Sequence, residues 1–223
     1  MELKKIRLSY SIIGDFVDFL LSNQQRIKNM LQDYEIESKV DKLQDGREVK
    51  SLRFTKKTIS ILFAPVRIDY VYTLPTVTTT VEETLEGAKA FYKLLAEIFP
   101  EVVGNRIAIV LSGFIDNQDN KAIAAMTNYM KLSSSFGDCN ELTFKINAPI
   151  QKFEMLNSVV NVDMGTAKNN KTQQQIPVLL VSLDVNTLAA NKTPRFYAQN
   201  FEKDFEDIVE EIKVKISEME DFA

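Results

Sequence analysis

Asp163 and Asp184 each end or interrupt an apolar run, and Arg106 opens a third. Two carboxylates set side by side by neighbouring strands would form a minimal Mg²⁺ site or an acid–base pair, and an arginine beside them would steady an anion. Strand ends are also where an aspartate meets water or a turn amide and where an arginine meets a carboxylate, which is their ordinary structural role. Arg67 and Asp69 fall on one side of an alternating segment, as members of a cleft or as a cross-strand ion pair. Val66, Ile68, Tyr70 and Tyr72 take the other side, as an aromatic platform or as core. Lys168 and Lys171 stand in a polar stretch, Gly165 to Gln175, open to a partner or to solvent. Cys139 has no cation near it in sequence to activate it and reads as an inert thiol.

Composition removes most other chemistry. The 223 residues include no histidine and one cysteine. Ser-His-Asp and Cys-His catalysis, His-containing metal sites, zinc ribbons and iron–sulfur clusters are therefore excluded. A single thiol forms no internal disulfide. What survives is carboxylate, Lys and Tyr chemistry, and carboxylate-held Mg or Mn. No cofactor is implied. A net charge of −4 does not favour general binding to a phosphate backbone. Asp15, Asp18 and Asn23 interrupt anything like a signal h-region, and no apolar run approaches the ~20 residues of a membrane span. These features predict a soluble, cytoplasmic protein with no membrane partner.

The elements that must position these residues centre on Thr79 to Asp116. Thr80-Val-Glu-Glu83 has capping-box form, and Val81, Leu85, Ala88, Tyr92, Leu95 and Phe99 follow at helical spacing. Pro100 stops the helix, and Arg106 to Ile115 reads as a strand apolar on both faces, interior, with Gly113 marking a bulge or a close approach. Before this stretch come a strand at 2–12, a helix to about Tyr34 and four strands: Glu35–Lys42, Glu48–Thr55, Thr58–Ala64 and Val66–Leu74. Asp45-Gly46 marks the first hairpin. After it come a helix from Asn117–Asn120 to about Lys131, with Ile123, Met126 and Met130 inward, and a linker at Ser133–Asp138. Strands follow at Glu141–Asn147, with Leu142, Phe144 and Ile146 inward, and at Phe153–Asp163 and Val178–Val185. The last helix runs from about Asn200 to Met219, with Glu202 to Glu211 on its wet face.

The expected fold is α+β, a single domain of two similar halves, 1–103 and 104–223. Each half reads strand, helix, three or four antiparallel strands, helix, with the helices packed on the sheet. Two halves sharing one sheet bury edges that each alone would expose. This pseudo-duplicated order resembles the TATA-binding-protein fold, a resemblance that implies a saddle-like sheet and, by analogy, nucleic-acid binding. Thr80-Val-Glu-Glu through Phe99-Pro, then Asn105-Arg-Ile-Ala-Ile, and the later Leu-Leu-Val-Ser-Leu-Asp-Val strand before a Phe-rich acidic helix, resemble a sporadically distributed family of uncharacterised prokaryotic proteins. That resemblance brings no activity, cofactor or catalytic residue; sporadic occurrence implies a link to mobile elements or defence loci.

The leading functional expectation is a non-catalytic protein that binds a partner or itself, through the exposed sheet face or the Gly165–Gln175 loop. The alternatives are a carboxylate-dependent, Mg-assisted enzyme using Asp163, Asp184 and Arg106, and a nucleic-acid-binding saddle.

Overall fold

The computed structural model describes residues 3–43, 46–74, 80–129, 143–150, 156–168 and 173–221. Chain order is β1 (Leu3–Ile13), α1 (Val17–Met30), β2 (Glu35–Lys42), β3 (Glu48–Lys56), β4 (Ile59–Ala64), β5 (Arg67–Thr73), α2 (Val81–Ile98), β6 (Val103–Gly104), β7 (Arg106–Asp116), α3 (Lys121–Tyr129), β8 (Thr143–Pro149), β9 (Leu156–Lys168), β10 (Gln175–Thr187), β11 (Phe196–Tyr197) and α4 (Phe201–Asp221). Nine strands make one antiparallel sheet in the order β2-β3-β4-β5-β1-β7-β10-β9-β8, while β6 and β11 pair separately. The fold is α+β with helices on the sheet. β1 and β7 lie together at the centre, and outward of each stand the strands that follow it in sequence, last strand first.

The pleat divides the sheet into two faces. One row crosses it as Ile36, Phe54, Ile61, Tyr70, Tyr10, Ile109, Val185, Ser158 and Ala148. The central members of this row are buried beneath the helices. The adjacent row runs Glu37, Arg53, Leu62, Asp69, Ser11, Ala108, Asn186, Asn157 and Pro149. Residues from all four helices, including Ile27, Tyr92, Ile123 and Ile212, join a single apolar cluster on the first face. The second face has no helix layer over it among the described residues.

β1 shows how sequence sets this division. Leu3 and Leu8 are an odd number of positions apart, so simple alternation would put them on opposite faces. A bulge between Lys5 and Arg7 restores the phase and leaves both leucines buried, with Ile6 exposed. Gly113 pairs with Lys5 beside the bulge, where a Cβ would lie 2.6 Å from the Lys4 carbonyl oxygen. The close approach expected of this glycine is therefore present.

α2 begins as its sequence predicts. The Glu83 amide donates to Thr80 Oγ1 (3.2 Å), and the Thr80 amide donates to Glu83 Oε2 (2.9 Å). Tyr92, fully buried, stacks on Phe201 of α4 at 4.3 Å between centroids. Its single hydroxyl proton is shared between the carbonyls of Tyr10 (2.9 Å) and Ile68 (3.1 Å), which ties the helix to two strands. Lys213 to Glu82 (2.6 Å) and Lys89 to Glu202 (2.9 Å) join α2 to α4 across their wet sides.

Several expectations change. β7 and β10 are less fully buried on the open side than expected: Ala108, Val178 and Asn186 are buried there, but Arg106, Val110, Ser112, Leu180, Ser182 and Asp184 are half-buried or exposed. The Gly165–Gln175 stretch, expected as a polar hairpin tip, does lie at the end of the β9–β10 hairpin, but residues 165–168 and Gln175 belong to the strands, because the two segments pair in register out to Lys168 and Gln175. Ile146 is 53% exposed, since β8 is an edge strand beyond the main contacts of the helix layer. Val66 is also exposed; it lies in the turn before β5, where the face it was expected to share has not begun. α1 ends at Met30, short of the expected Tyr34. Thr79, Asp45, Met130, Lys131, the Ser133–Asp138 linker, Cys139, Leu142, Phe153 and Lys171 lie outside the described residues.

Candidate functional site

The open face carries its chemistry on its four central strands. β5, β1, β7 and β10 place Arg7, Ser9, Ser11, Arg67, Asp69, Arg106, Ser112 and Asp184 around a basin of about 300 Å³. Each arrives there by alternation with a core residue: Arg7 and Ser9 flank Leu8, Asp69 lies between Ile68 and Tyr70, and Asp184 lies between Leu183 and Val185. A larger groove of about 620 Å³ adjoins the basin at Arg67 and runs over β4 to β2, past Leu62, Ala64, Arg53, Ser51 and Asp41.

Asp69 is the least ordinary group on this face. Its side chain is 3% exposed, although no helix covers it. Arg67 Nε sits 3.0 Å from Asp69 Oδ2, a same-strand pair two residues apart rather than the expected cross-strand one. Asp69 Oδ1 is buried without a hydrogen-bond partner. Burial pushes its carboxyl above the usual aspartate range, against the opposing pull of Arg67, Ser11, Arg7 and Arg53. A buried acceptor left unsatisfied costs about 1–3 kcal/mol, so this atom works against folding.

Asp184 repeats the theme less severely. Burial raises its pKa, opposed by a hydrogen bond from Asn186 (2.9 Å) and by the charges of Arg106 and Lys145. Arg106 is held by a carbonyl and a side-chain amide rather than by a carboxylate. Its Nε donates to the Thr187 carbonyl (3.2 Å) and its Nη2 to Asn186 Oδ1 (3.0 Å), which fixes the guanidinium at the rim of the basin. Arg7 is exposed and makes no hydrogen bond or ion pair within 4 Å among the described residues.

The expected carboxylate pair does not converge. Asp163 pairs in register with Leu180, four positions from Asp184 on β10. The two carboxylates share the open face but stand about 13 Å apart along the strands, too far to share one metal ion or one proton. Asp163 instead accepts from Asn161 Nδ2 (2.7 Å). Among the described residues no three Asp, Glu or Cys side chains gather as metal ligands would. Tyr70 belongs to the core: it is buried, lies over Phe91 at 5.8 Å, and its pKa is pushed up to about 12 by burial. Lys168 is exposed at the end of β9, remote in register from the basin.

The sequence pointed to Arg67, Asp69, Arg106 and Asp184, and all four line one basin. Arg7, Ser9 and Ser11 were missed. Their signal was the alternation with Leu8, Tyr10 and Ile12, which marks one face of β1 as uncovered but does not say which strand lies beside it.

Cations and anions alternate across the wider open face. Arg7, Arg53, Arg67, Arg106 and Lys145 stand among Glu37, Asp41, Asp69, Asp163 and Asp184. That mixture is unlike the continuous basic stripe a nucleic-acid backbone calls for. No helix among the described residues is long and apolar enough to cross a membrane. Comparison of the chain with protein-family models, with curated proteins and with solved structures finds no match in any of the three.

Proposed function

We propose that this protein is a non-catalytic binding module whose open sheet face docks against a second protein chain, either a different protein or another copy of itself. One observation carries the reading. The uncovered face gathers charged side chains at its centre, Arg7, Arg67, Arg106, Asp69 and Asp184, and Arg7 among them is exposed and makes no ion pair within 4 Å among the described residues. Exposed charges of this kind are met when another surface brings complementary groups. The face is also rigid, since its strands are anchored by the apolar cluster behind them, and a rigid surface loses little entropy on docking. The scattered aspartates, held apart by the register, do not favour an enzyme.

Site-directed photo-crosslinking in the native host tests this. A photoreactive residue at Ser9 or Val110 should yield a discrete protein adduct, while one at Leu94 on the helix layer should not. Adducts from Leu94 alone, or none from the sheet, would contradict the reading. Mass spectrometry of the adduct separates self-association from a second protein.

A further inference from the structure

We infer that two copies of this chain pair through the outer edge of β8, antiparallel about a two-fold axis at Ile146, so that one sheet runs through both. This edge is the far end of the sheet, separated from the central basin by β9. The pairing leaves the open face free and stands or falls independently of what that face docks.

The backbone of β8 is turned for it. The Ile150 amide donates to the Leu156 carbonyl (3.3 Å), and the register continues this pair back through Ala148–Ser158, Ile146–Val160 and Phe144–Val162. Alternate residues of an antiparallel strand bond to the same neighbour. Phe144, Ile146 and Ala148 therefore turn their N–H and C=O groups to β9. Thr143, Lys145 and Asn147 turn theirs outward, where no strand lies among the described residues. Pro149 falls in the outward set, so its missing N–H costs the β9 ladder nothing.

The two edges of the sheet differ in how they are guarded. β2 carries charge at five of its eight positions, Glu35, Glu37, Lys39, Asp41 and Lys42, the usual protection against edge pairing. β8 carries one, Lys145, and its charge bears on Asp184 two strands inward. On the covered face, Leu8, Leu111 and Leu183 are buried and continue into the half-buried Val160, yet the row ends on Ile146, 53% exposed. An exposed isoleucine beside outward backbone groups is a template for another strand.

β8 is its own complement. Centred on Ile146, all seven residues find a partner in the other copy. Ile146 meets its counterpart, and Phe144 meets Ala148, a large side chain against a small one. Lys145 meets Asn147, with no like charges opposed, and these residues exchange N–H···O bonds. The Thr143 amide meets the Pro149 carbonyl, which puts the missing N–H at the end of the ladder. A shift of two residues either way pairs only five of the seven, and one of the two shifts sets the lysines face to face.

Cross-linking and sedimentation of the full chain test this. In the shared ladder Ile146 forms a non-hydrogen-bonded pair, where opposite Cβ atoms come close enough for a disulfide. Ile146→Cys in a Cys139→Ser background, which leaves one thiol in the chain, should give a covalent dimer on mild oxidation. Ile36→Cys on the β2 edge, in the same background, should not. Sedimentation velocity should show a dimer whose Kd rises by about tenfold or more in Ile146→Lys, because the two-fold axis sets two ammonium groups opposite each other. Ile36→Lys should leave it unchanged. The cross-link reads the interface without the lysine variant, so a folding defect in that variant does not decide the outcome. A chain monomeric across the micromolar range, a dimer indifferent to Ile146→Lys, or cross-linking at Ile36→Cys instead of Ile146→Cys would overturn the proposal.

Discussion

The two faces of the central strands are made by the same backbone and the same registers, yet they follow different rules. On the covered face, Leu8, Tyr10, Ile12, Ile107, Ile109 and Leu111 are each at most 1% exposed, and the Tyr10 hydroxyl is paired with Thr84 and the Val81 carbonyl. On the open face, one residue away along the chain, Asp69 is buried with an unpaired oxygen, Asp184 is desolvated and Arg7 is unpaired. The first arrangement is what folding rewards: apolar area removed from water and polar atoms satisfied. The second keeps two carboxyl groups partly removed from water, with pKa values raised by burial. Buried polar atoms without partners also occur elsewhere, at Asn117, Arg195 and Asp204, so what sets the open face apart is the clustering of charged side chains on its central strands.

Neighbouring residues of β7 give the largest contrast. Ile109→Ala opens a cavity under the helices and should cost about 2–5 kcal/mol of unfolding free energy. Val110→Ala, on the open side of the same strand, should cost less than about 1 kcal/mol. Chemical denaturation of both variants measures the difference; equal losses would mean that the open face is packed as a second core, and the contrast would break.

A smaller effect sharpens the comparison through pH. Burial raises the Asp69 pKa in the folded chain, so its contribution is favourable at low pH and is lost as pH rises through the folded value. The wild type should therefore lose stability relative to Asp69→Asn from near the ordinary aspartate pKa, about 4, up through that raised value. The shift should be on the order of 1 kcal/mol, since removing the charge also removes the Arg67 pair. Unfolding free energies of both proteins across pH 4–8 check the sign. A wild type that gains on the variant as pH rises would show the carboxylate to be satisfied after all.

Much of the covered face was legible in the sequence. The Thr80–Glu83 capping box, the helical stripe ending in Phe99, and the Gly113 close approach are local signals, each complete within a few residues or one strand pairing. The open face was misread where its character depends on neighbours distant in sequence. Arg106 to Ile115 looks apolar on both sides, but Ala108, Val110 and Ser112 lie on a side that no helix covers, which only the sheet order decides. Gly165 to Gln175 has the composition of a loop, yet thirteen register pairs with β10 draw β9 out to Lys168. The alternation of Arg67 and Asp69 predicted a shared face. That Asp69 is buried follows from Ser11 and Arg7 on β1, some sixty residues earlier in the chain.

Removing a rim charge while watching both fold and binding tests the central claim most directly. In the variant Arg7→Gln, which removes the exposed arginine that makes no ion pair within 4 Å, denaturant unfolding and the yield of photo-adduct from Val110 would be measured on the same protein. If the open face is a working surface, unfolding free energy should stay within about 2 kcal/mol of wild type, because exposed charges contribute little to stability, while the adduct disappears. A variant that keeps its full adduct yet loses most of its stability would show that the arginine serves the fold, and the account would fail.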